Sequence, residues 1–194
     1  GSGVEHLFEG GIWVGGKENG NQVVVSTSAY DAPQGYAPGR GGFEFYIDSS
    51  ITGARANLQE RSSLFDNRNY DPQAVSHQDY VAHFSDKSIV VPGTSIPIAD
   101  HNRPMNIEVK LETYNWNYSF SDFMVIVVME ITNDGRNAYT DVHLGLWNNT
   151  VVRNINVTPA GSGGSAFYHK GGNGYIDSLN RAYCFDATGD VGFT

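Results

Sequence analysis

The segment that most constrains the fold runs from Met105 to Trp147 and contains three apolar runs separated by turn-forming residues. Its first run, 107–112, alternates apolar and charged side chains, which predicts a strand with one buried face and one wet face. Its second run, 123–131, is apolar at nearly every position, which predicts a central strand covered on both faces. This pattern favours an antiparallel β-sandwich.

The strongest turn signal in the chain is the stretch 133–136, which reads Asn-Asp-Gly-Arg. Asp-Gly can supply the positive φ values of a two-residue type I′ turn, whose twist matches the strands on either side. After this turn Val142, Leu144 and Leu146 alternate with polar residues. The sequence therefore predicts a hairpin that joins the second and third apolar runs.

Three aromatic residues, Tyr114, Trp116 and Tyr118, share a parity opposite to that of the apolar positions in 107–112. If the strand continues unbroken past Thr113, they stand on its polar face, whereas a bulge at Thr113 would turn them towards the core. We favour the core, because exposed aromatic patches of this size are uncommon. If they point outward, these residues and Trp147 are candidates for stacking on sugar rings.

The rest of the chain consists of short strand patterns between loops rich in Gly and Pro. Residues 7–16 and 22–30 predict two strands joined by a hairpin connection at 15–20, with Ile12 and Val14 on one face and Trp13 on the other. Further strands are expected at 43–47, at 80–91 on both sides of a turn at 85–87, and at 181–185. Residues 92–104 predict an extended crossing segment, and the glycine clusters at 161–164 and 171–174 predict loops. An irregular insertion is expected at about 48–79, where 56–65 favours one or two helical turns.

Composition excludes several classes of function. The net charge is −9 with only 12 Lys and Arg, so the basic surface that a nucleic-acid-binding protein needs is lacking, and docking on anionic lipid is disfavoured. The longest apolar run is far shorter than the ~20 residues of a membrane helix, so we expect no membrane insertion. The single cysteine, Cys184, lies between two aromatic residues and is expected to be a small buried apolar side chain.

Several stretches carry a family resemblance, namely GGIWVGGKENGNQVVVSTSAYD, GYAPGRGGFEF, QERSSLFD, VSHQDYVAHFSD, ETYNWNYSFSDF and EITNDGRNAYTDVHLGLW. Together they resemble large secreted bacterial proteins of the type IX secretion kind, which carry a C-terminal sorting domain. The resemblance covers nearly the whole chain. It implies an extracellular or cell-surface location and a native protein that extends beyond both ends of this sequence. The last stretch is also similar to a hairpin of immunoglobulin-like surface modules.

Motifs for catalysis are lacking, because the sequence contains neither a Gly-x-Ser-x-Gly elbow nor a phosphate-binding or dinucleotide-binding glycine loop. We therefore expect a protein that is not an enzyme and has no resident cofactor. Two acidic loops could supply oxygen ligands for calcium, through Asp66 and Asp71 in one and Asp186 and Asp190 in the other. Asx turns without an ion are the commoner structure for such clusters.

These observations predict an all-β antiparallel sandwich, immunoglobulin-like or fibronectin-like, with long Gly- and Pro-rich loops. Residues 1–194 are expected to form a single domain that is a fragment of a longer secreted protein. The leading hypothesis for function is a non-catalytic structural or adhesive module that pairs with other copies or other surface proteins. The alternative is a carbohydrate-binding module, or an ancillary domain of a polysaccharide-active enzyme, whose partners are glycans.

Overall fold

The computed structural model describes residues 7–28, 39–51, 57–150, 152 and 171–186. These residues form antiparallel strands and one short 3-10 helix, Asp177–Leu179, which confirms the all-β sandwich. The strands in chain order are β1 (Leu7–Glu18), β2 (Gln22–Thr27), β3 (Tyr46–Ile47), β4 (Gln59–Arg61), β5 (Gln78–Ser85), β6 (Ile107–Asn115), β7 (Ile126–Asn133), β8 (Tyr139–Thr150), β9 (Gly171–Ile176) and β10 (Arg181–Asp186).

The chain divides into two compact units. One is Trp13–Gly145, called here the 13–145 unit, and the other combines Gly1–Ile12 with Leu146–Thr194 and is called the terminal unit. This division does not test the single domain predicted from sequence, which stays a prediction.

The first sheet has the strand order β2-β1-β8. The predicted hairpin between β1 and β2 is confirmed, but β1 continues through the glycine pair to Glu18. The turn lies at Asn19 and Gly20, which have φ values of 49° and 84°, and the Asn21 N–H donates to the Glu18 carbonyl. Positive φ at both central residues is the type I′ geometry that suits a hairpin. As predicted, Val14 is buried and Trp13 is exposed.

The second sheet has the order β3-β5-β6-β7, and β4 also pairs with β5. The residues of β6 keep one continuous register with both neighbours, from Ile107 to Tyr114 against β7 and from Glu108 to Asn115 against β5. Ile107 and Val109 are buried, whereas Glu108 and Lys110 on the other face are only partly covered. The buried face and the solvent-facing face predicted for β6 are therefore confirmed.

The prediction for β7 is wrong. This strand is the last in its sheet rather than a central strand, and it pairs with β6 along one edge. Val127 pairs with Thr113 and lies on the same face of the sheet, and its side chain remains 52% exposed. A run of apolar residues indicates that both faces need cover, but it does not determine where in a sheet the strand lies.

The hairpin predicted at 133–136 is wrong as well, because β7 and β8 belong to different sheets. The connection is an arch that crosses between the sheets, and neither Asp134 nor Gly135 has a positive φ. The Asp134 N–H donates to the carbonyl of Asn106. A Cβ at Gly135 would lie 3.1 Å from the Cβ of Asn106, so this glycine permits a close approach of two loops.

Three smaller predictions also fail. Residues 59–61 form β4 instead of a helical turn, because they pair with β5. The second strand expected within 80–91 is replaced by a single bridge between Val90 and Pro97. The glycines at 171–174 belong to β9, which pairs with β10. The glycine cluster at 161–164 lies outside the described residues.

The β9–β10 hairpin shows why glycines can occupy a strand. Gly174 pairs with Tyr183 and Gly172 with Phe185. A Cβ at either glycine would come within 2.6 Å of the partner's ring. The aromatic rings therefore cover the glycines and fill the space that side chains would take. The predicted final strand is confirmed as β10, in which Cys184 is half-buried rather than fully buried.

Candidate functional site

The free edge of β7 is the first candidate site, and it is defined here by residues 126–131 and called the β7 edge. Among the described residues, no strand pairs with β7 on the side away from β6. Val127 lies on the inner face of the sheet, while Ile126 and Val128 lie on the outer face with their partners Tyr114 and Glu112. All three side chains are at least 42% exposed. The β7 edge thus offers backbone hydrogen-bonding groups and apolar side chains on both faces.

β8 shows a related feature at the edge of the other sheet. Val142 and Leu144 are 52% and 61% exposed. The Cγ2 of Val142 lies 3.5 Å from where a Cβ of buried Gly16 would be, which places Val142 on the inner face. Both β7 and β8 therefore carry inward-facing apolar side chains that the described residues leave uncovered.

Two other edges, those of β4 and β8, carry features that discourage strand pairing, whereas β2 at the edge of the first sheet has no charged residue and no proline. β4 presents the polar residues 59–61. β8 contains Asp141 at a φ of 52°, which interrupts a regular ladder, and Asp141 forms an ion pair with Lys17. The β7 edge has no Lys, no Pro and one charged residue, Glu130. Charges, prolines and bulges are the usual means of protecting an edge, so the β7 edge is the least protected of the three.

The aromatic stripe does not pack in the core, which corrects our expectation. Because β6 runs without a bulge through Thr113, Tyr114 stands on the outer face beside Glu112. Burial, followed by the nearby Glu112 carboxylate, raises the pKa of the Tyr114 hydroxyl. Tyr114 and Trp116 are half-buried, and Tyr118 is 48% exposed.

These aromatic rings do not form one flat platform. The planes of Tyr114 and Trp116 meet at 49°, with 6.5 Å between ring centres. Tyr118 lies in the loop after β6, where it stacks on Phe120 at 5.4 Å and meets the edge of His77 at 4.7 Å. The stripe is therefore divided between a strand and a loop, which does not favour stacking against one extended sugar chain.

Trp147, the fourth ligand-binding candidate, lines a cleft of about 360 Å³ within the terminal unit. The cleft is formed by the end of β8 and by the β9–β10 hairpin. Its lining residues are Leu146, Trp147, Asn148, Thr150, Asn173, Gly174, Ala182, Tyr183 and Cys184. None of these side chains is an acid, a lysine or an arginine, so the cleft combines aromatic, amide and hydroxyl groups.

The calcium candidates are only partly described. Within the described residues, no group of three or more His, Cys, Asp or Glu side chains could hold a metal ion. Asp66 is exposed, and Asp71 forms an Asx turn in which its Oδ1 accepts a hydrogen bond from the Gln73 N–H at 2.8 Å. The side chain of Asp186 and the whole of Asp190 lie outside the described residues, so calcium at that loop stays a prediction.

A buried polar cluster around Asp86 joins the two sheets of the 13–145 unit. The Asp86 carboxylate is fully buried and accepts hydrogen bonds from the Ser26 hydroxyl at 2.5 Å and from the N–H groups of Met105 and Ile107 at 2.8 and 2.7 Å. His101 bonds the Asp86 backbone carbonyl rather than the serine. Although it contains Ser, His and Asp, the cluster lacks the hydrogen bond from serine to histidine that activates a nucleophile. Its geometry fits a structural role.

The shifted pKa values follow the same structural pattern. Burial raises the pKa of the Glu44 carboxyl, which accepts hydrogen bonds from the N–H groups of Gly42 and Thr27. A hydrogen bond from Lys87 holds the pKa of Asp134 below its usual range. These groups fix loops and the arch between the sheets.

Sequence reasoning missed both the β7 edge and the cleft that Trp147 lines. The apolar run at 123–131 was visible, but strand order depends on long-range pairing that no local pattern encodes. Tyr183 and Asn173 line the same cleft as Trp147 because the β9–β10 hairpin lies beside the end of β8. In the described part of the chain, no helix has the length and apolar character needed to cross a membrane.

A scan against protein-family models, a search of curated proteins and a search of solved structures each found no match.

Proposed function

We propose that this chain is a non-catalytic structural module of an extracellular or cell-surface protein and that it associates with a second copy of itself through the β7 edge. The observation that carries the proposal is an edge strand with exposed apolar side chains on both faces. The extracellular location rests on the sequence resemblance alone. An immunoglobulin-like strand connection is part of the same proposal, and the arch from β7 to β8 supports it because sandwiches of that kind connect strands across sheets.

Strand addition would stabilise the β7 edge in two ways. A partner strand would take up the N–H and C=O groups that face away from β6, as in recognition by β-augmentation. It would also remove half-exposed apolar side chains, Ile126, Val127 and Val128, from water. At roughly 25 cal/mol per Å² of buried apolar surface, each of these side chains would contribute about 1 kcal/mol.

A second copy is the partner that the charges favour. The whole chain carries −9, so most of its surface repels another copy, whereas residues 126–129 are uncharged. In an antiparallel pair related by a two-fold axis at Val128, Glu130 of each copy faces Ile126 of the other rather than a second glutamate. Such a pair makes one continuous sheet with closed symmetry.

The association can be tested by light scattering after size exclusion across a concentration series. We expect a dimer for the natural chain and at least about tenfold weaker association for Val128→Lys, because an edge lysine resists strand pairing. Val23→Lys is the matched control, since Val23 is an exposed valine on β2, an edge strand of the other sheet. It should leave the dimer unchanged.

Two results would overturn the proposal. One is a natural chain that stays monomeric at the highest concentration reached. The other is a dimer that Val23→Lys disrupts and Val128→Lys does not, because association would then use β2.

A carbohydrate-binding function through Tyr114, Trp116 and Tyr118 is not proposed. It would require coplanar exposed rings, and the planes of Tyr114 and Trp116 meet at 49°.

A further inference from the structure

The outer face of the first sheet has a shallow depression, and its floor is Gly15 on the central strand, β1. Val14 and Gly16 are buried on the inner face, so the alternation of side chains along a strand places Gly15 on the outer face. On the β2 side, Gly15 pairs with Val25, which is 58% exposed. A Cβ at Gly15 would make only ordinary contacts, the nearest at 3.5 Å from the Cγ2 of Val25. The glycine therefore leaves open a space that a side chain could fill.

Two contacts fix the position of β8 beside this depression. Lys17 Nζ lies 2.8 Å from Asp141 Oδ2, and Trp13 lies over Gly145, where a Cβ would come within 3.2 Å of the indole Cε3. The central glycine is midway between Trp13 and Lys17, and position 143 is midway between Gly145 and Asp141. His143 therefore lies opposite the glycine, and its Nε2 is 3.2 Å from Asp141 Oδ1 on the same face. All of these residues belong to the 13–145 unit.

The side chains around the depression combine an aromatic ring with hydrogen-bonding groups. Trp13 is 48% exposed, so part of its indole can stack on a ligand. The Lys17 ammonium donates hydrogen bonds, the Asp141 carboxylate accepts them, and the 82% exposed imidazole of His143 can do either. Trp13 and Lys17 each lie two residues from the central glycine, roughly 6.6 Å along the strand. A ligand of one or two sugar rings over the glycine can therefore reach both.

The charges at this site balance one another, because Lys17 and Asp141 form an ion pair. An anionic ligand would have to compete with Asp141 for the ammonium, and a cationic ligand would have to compete with Lys17 for the carboxylate. The hydroxyls of a neutral sugar can donate to the carboxylate and accept from the ammonium while the pair stays intact. The apolar C–H face of the sugar ring suits an indole.

We infer that the outer face of the first sheet binds a neutral saccharide over Gly15, with a sugar ring stacked on Trp13 and its hydroxyls bonded to Asp141 and His143. The module then attaches to uncharged glycan as well as to a second copy of itself. Binding on this face does not need the β7 edge, which belongs to the other sheet.

Affinity electrophoresis through native gels that contain a single polysaccharide tests the inference, with retardation measured against a gel without polysaccharide. The probes are neutral glucan, mannan and xylan, with alginate as an acidic counterpart. We expect at least one neutral polysaccharide to retard the natural chain more strongly than alginate does. Trp13→Ala removes the stacking ring and Gly15→Val fills the depression, so each should weaken that binding about tenfold or more. His143→Ala removes one hydrogen-bonding group and should weaken it about threefold or more.

Tyr118→Ala is the matched control, because Tyr118 is also 48% exposed and lies in the loop after β6. It should bind as the natural chain does, and so should Val128→Lys, whether or not that variant dimerises. Circular dichroism checks folding, and Gly15→Val decides the outcome if Trp13→Ala unfolds, because valine suits a strand and has room there.

Three results would overturn the inference. The first is that no neutral polysaccharide retards the natural chain, and the second is that alginate retards it more strongly than any neutral one. The third is that folded Gly15→Val or folded His143→Ala binds as tightly as the natural chain.

Discussion

β6 and β7 are neighbours in one sheet, yet their apolar side chains have opposite surroundings. β6 alternates apolar and charged residues, and its Val109 has no exposed surface. β7 is apolar over most of its length, and its inward-facing Val127 is 52% exposed. The more hydrophobic strand is the less buried one. Burial depends on a strand's place in the sheet, because an interior strand has neighbours on both edges and an edge strand has one.

The interior beside β6 is also held by polar contacts that the β7 edge lacks. Asp86 connects Ser26 of β2 to the N–H groups at the start of β6. Glu18 of β1 is buried and accepts hydrogen bonds from Arg103 and Asn137. The Asp86 contacts join strands of the two sheets, and the Glu18 contacts join β1 to the loops at 103 and 137. The β7 edge, by contrast, is open to a partner.

The largest effect should come from breaking the Asp86 cluster. Asp86→Ala leaves the buried donors of Ser26, Met105 and Ile107 without their acceptor. At about 1–3 kcal/mol for each unsatisfied group, we expect a loss of about 3 kcal/mol or more in the free energy of unfolding. Urea denaturation followed by tryptophan fluorescence measures it. The exposed Asp66→Ala is the control, and equal stability of the two variants would show that the cluster does not hold the sheets together.

A pair of valine truncations tests the comparison directly. Val109→Ala and Val127→Ala remove the same atoms from inward-facing positions of adjacent strands. We expect a loss of about 2 kcal/mol at Val109, which is fully buried, and less than about 1 kcal/mol at Val127 in the monomer. The measurement is urea unfolding at a protein concentration low enough to keep the chain monomeric. Similar losses at both positions would mean that Val127 is covered in solution.

The arch between β7 and β8 can be distinguished from the hairpin predicted from sequence by substituting Gly135. In an arch, Gly135→Ala and Gly135→Asn should both cost roughly 1–3 kcal/mol, because any side chain meets Asn106 and the Met105 carbonyl. In a type I′ turn, asparagine would be tolerated better than alanine.

Gly20, in the true β1–β2 turn, is the control for this test. Its φ is 84° and a Cβ there would meet nothing within 4 Å, so Gly20→Asn should be milder than Gly20→Ala. Thermal unfolding of the four variants gives the answer, and the arch is contradicted if Gly135 follows the pattern of Gly20.

The smallest effect concerns the ion pair at the arch. Lys87 lowers the pKa of Asp134, so the folded carboxyl stays ionised below the pH at which the unfolded chain takes up its proton. Its stabilisation is present above the unfolded pKa and is lost as the pH falls through the folded pKa. We expect Lys87→Met to unfold slightly earlier in urea at neutral pH and to match the natural chain near pH 2, where carboxylates are protonated. A difference that persists in acid would point to packing instead.

The sequence alone determined the features that depend on local geometry. The alternation in 107–112 fixed the two faces of β6 because side chains alternate strictly along a strand. Asn19 and Gly20 provided the positive φ values of the β1–β2 turn. The all-β class followed from many short apolar runs between glycines and prolines.

Only the tertiary structure decided which strands are neighbours. An apolar run has the same sequence pattern in a central strand and in an edge strand. The local pattern therefore could not predict the position of β7 in its sheet. Asp134-Gly135 suits a hairpin by itself, but the contacts of Gly135 with Asn106 and Met105 select an arch. Trp147 and Tyr183 line one cleft for a similar reason, because the tertiary structure places the β9–β10 hairpin beside the end of β8.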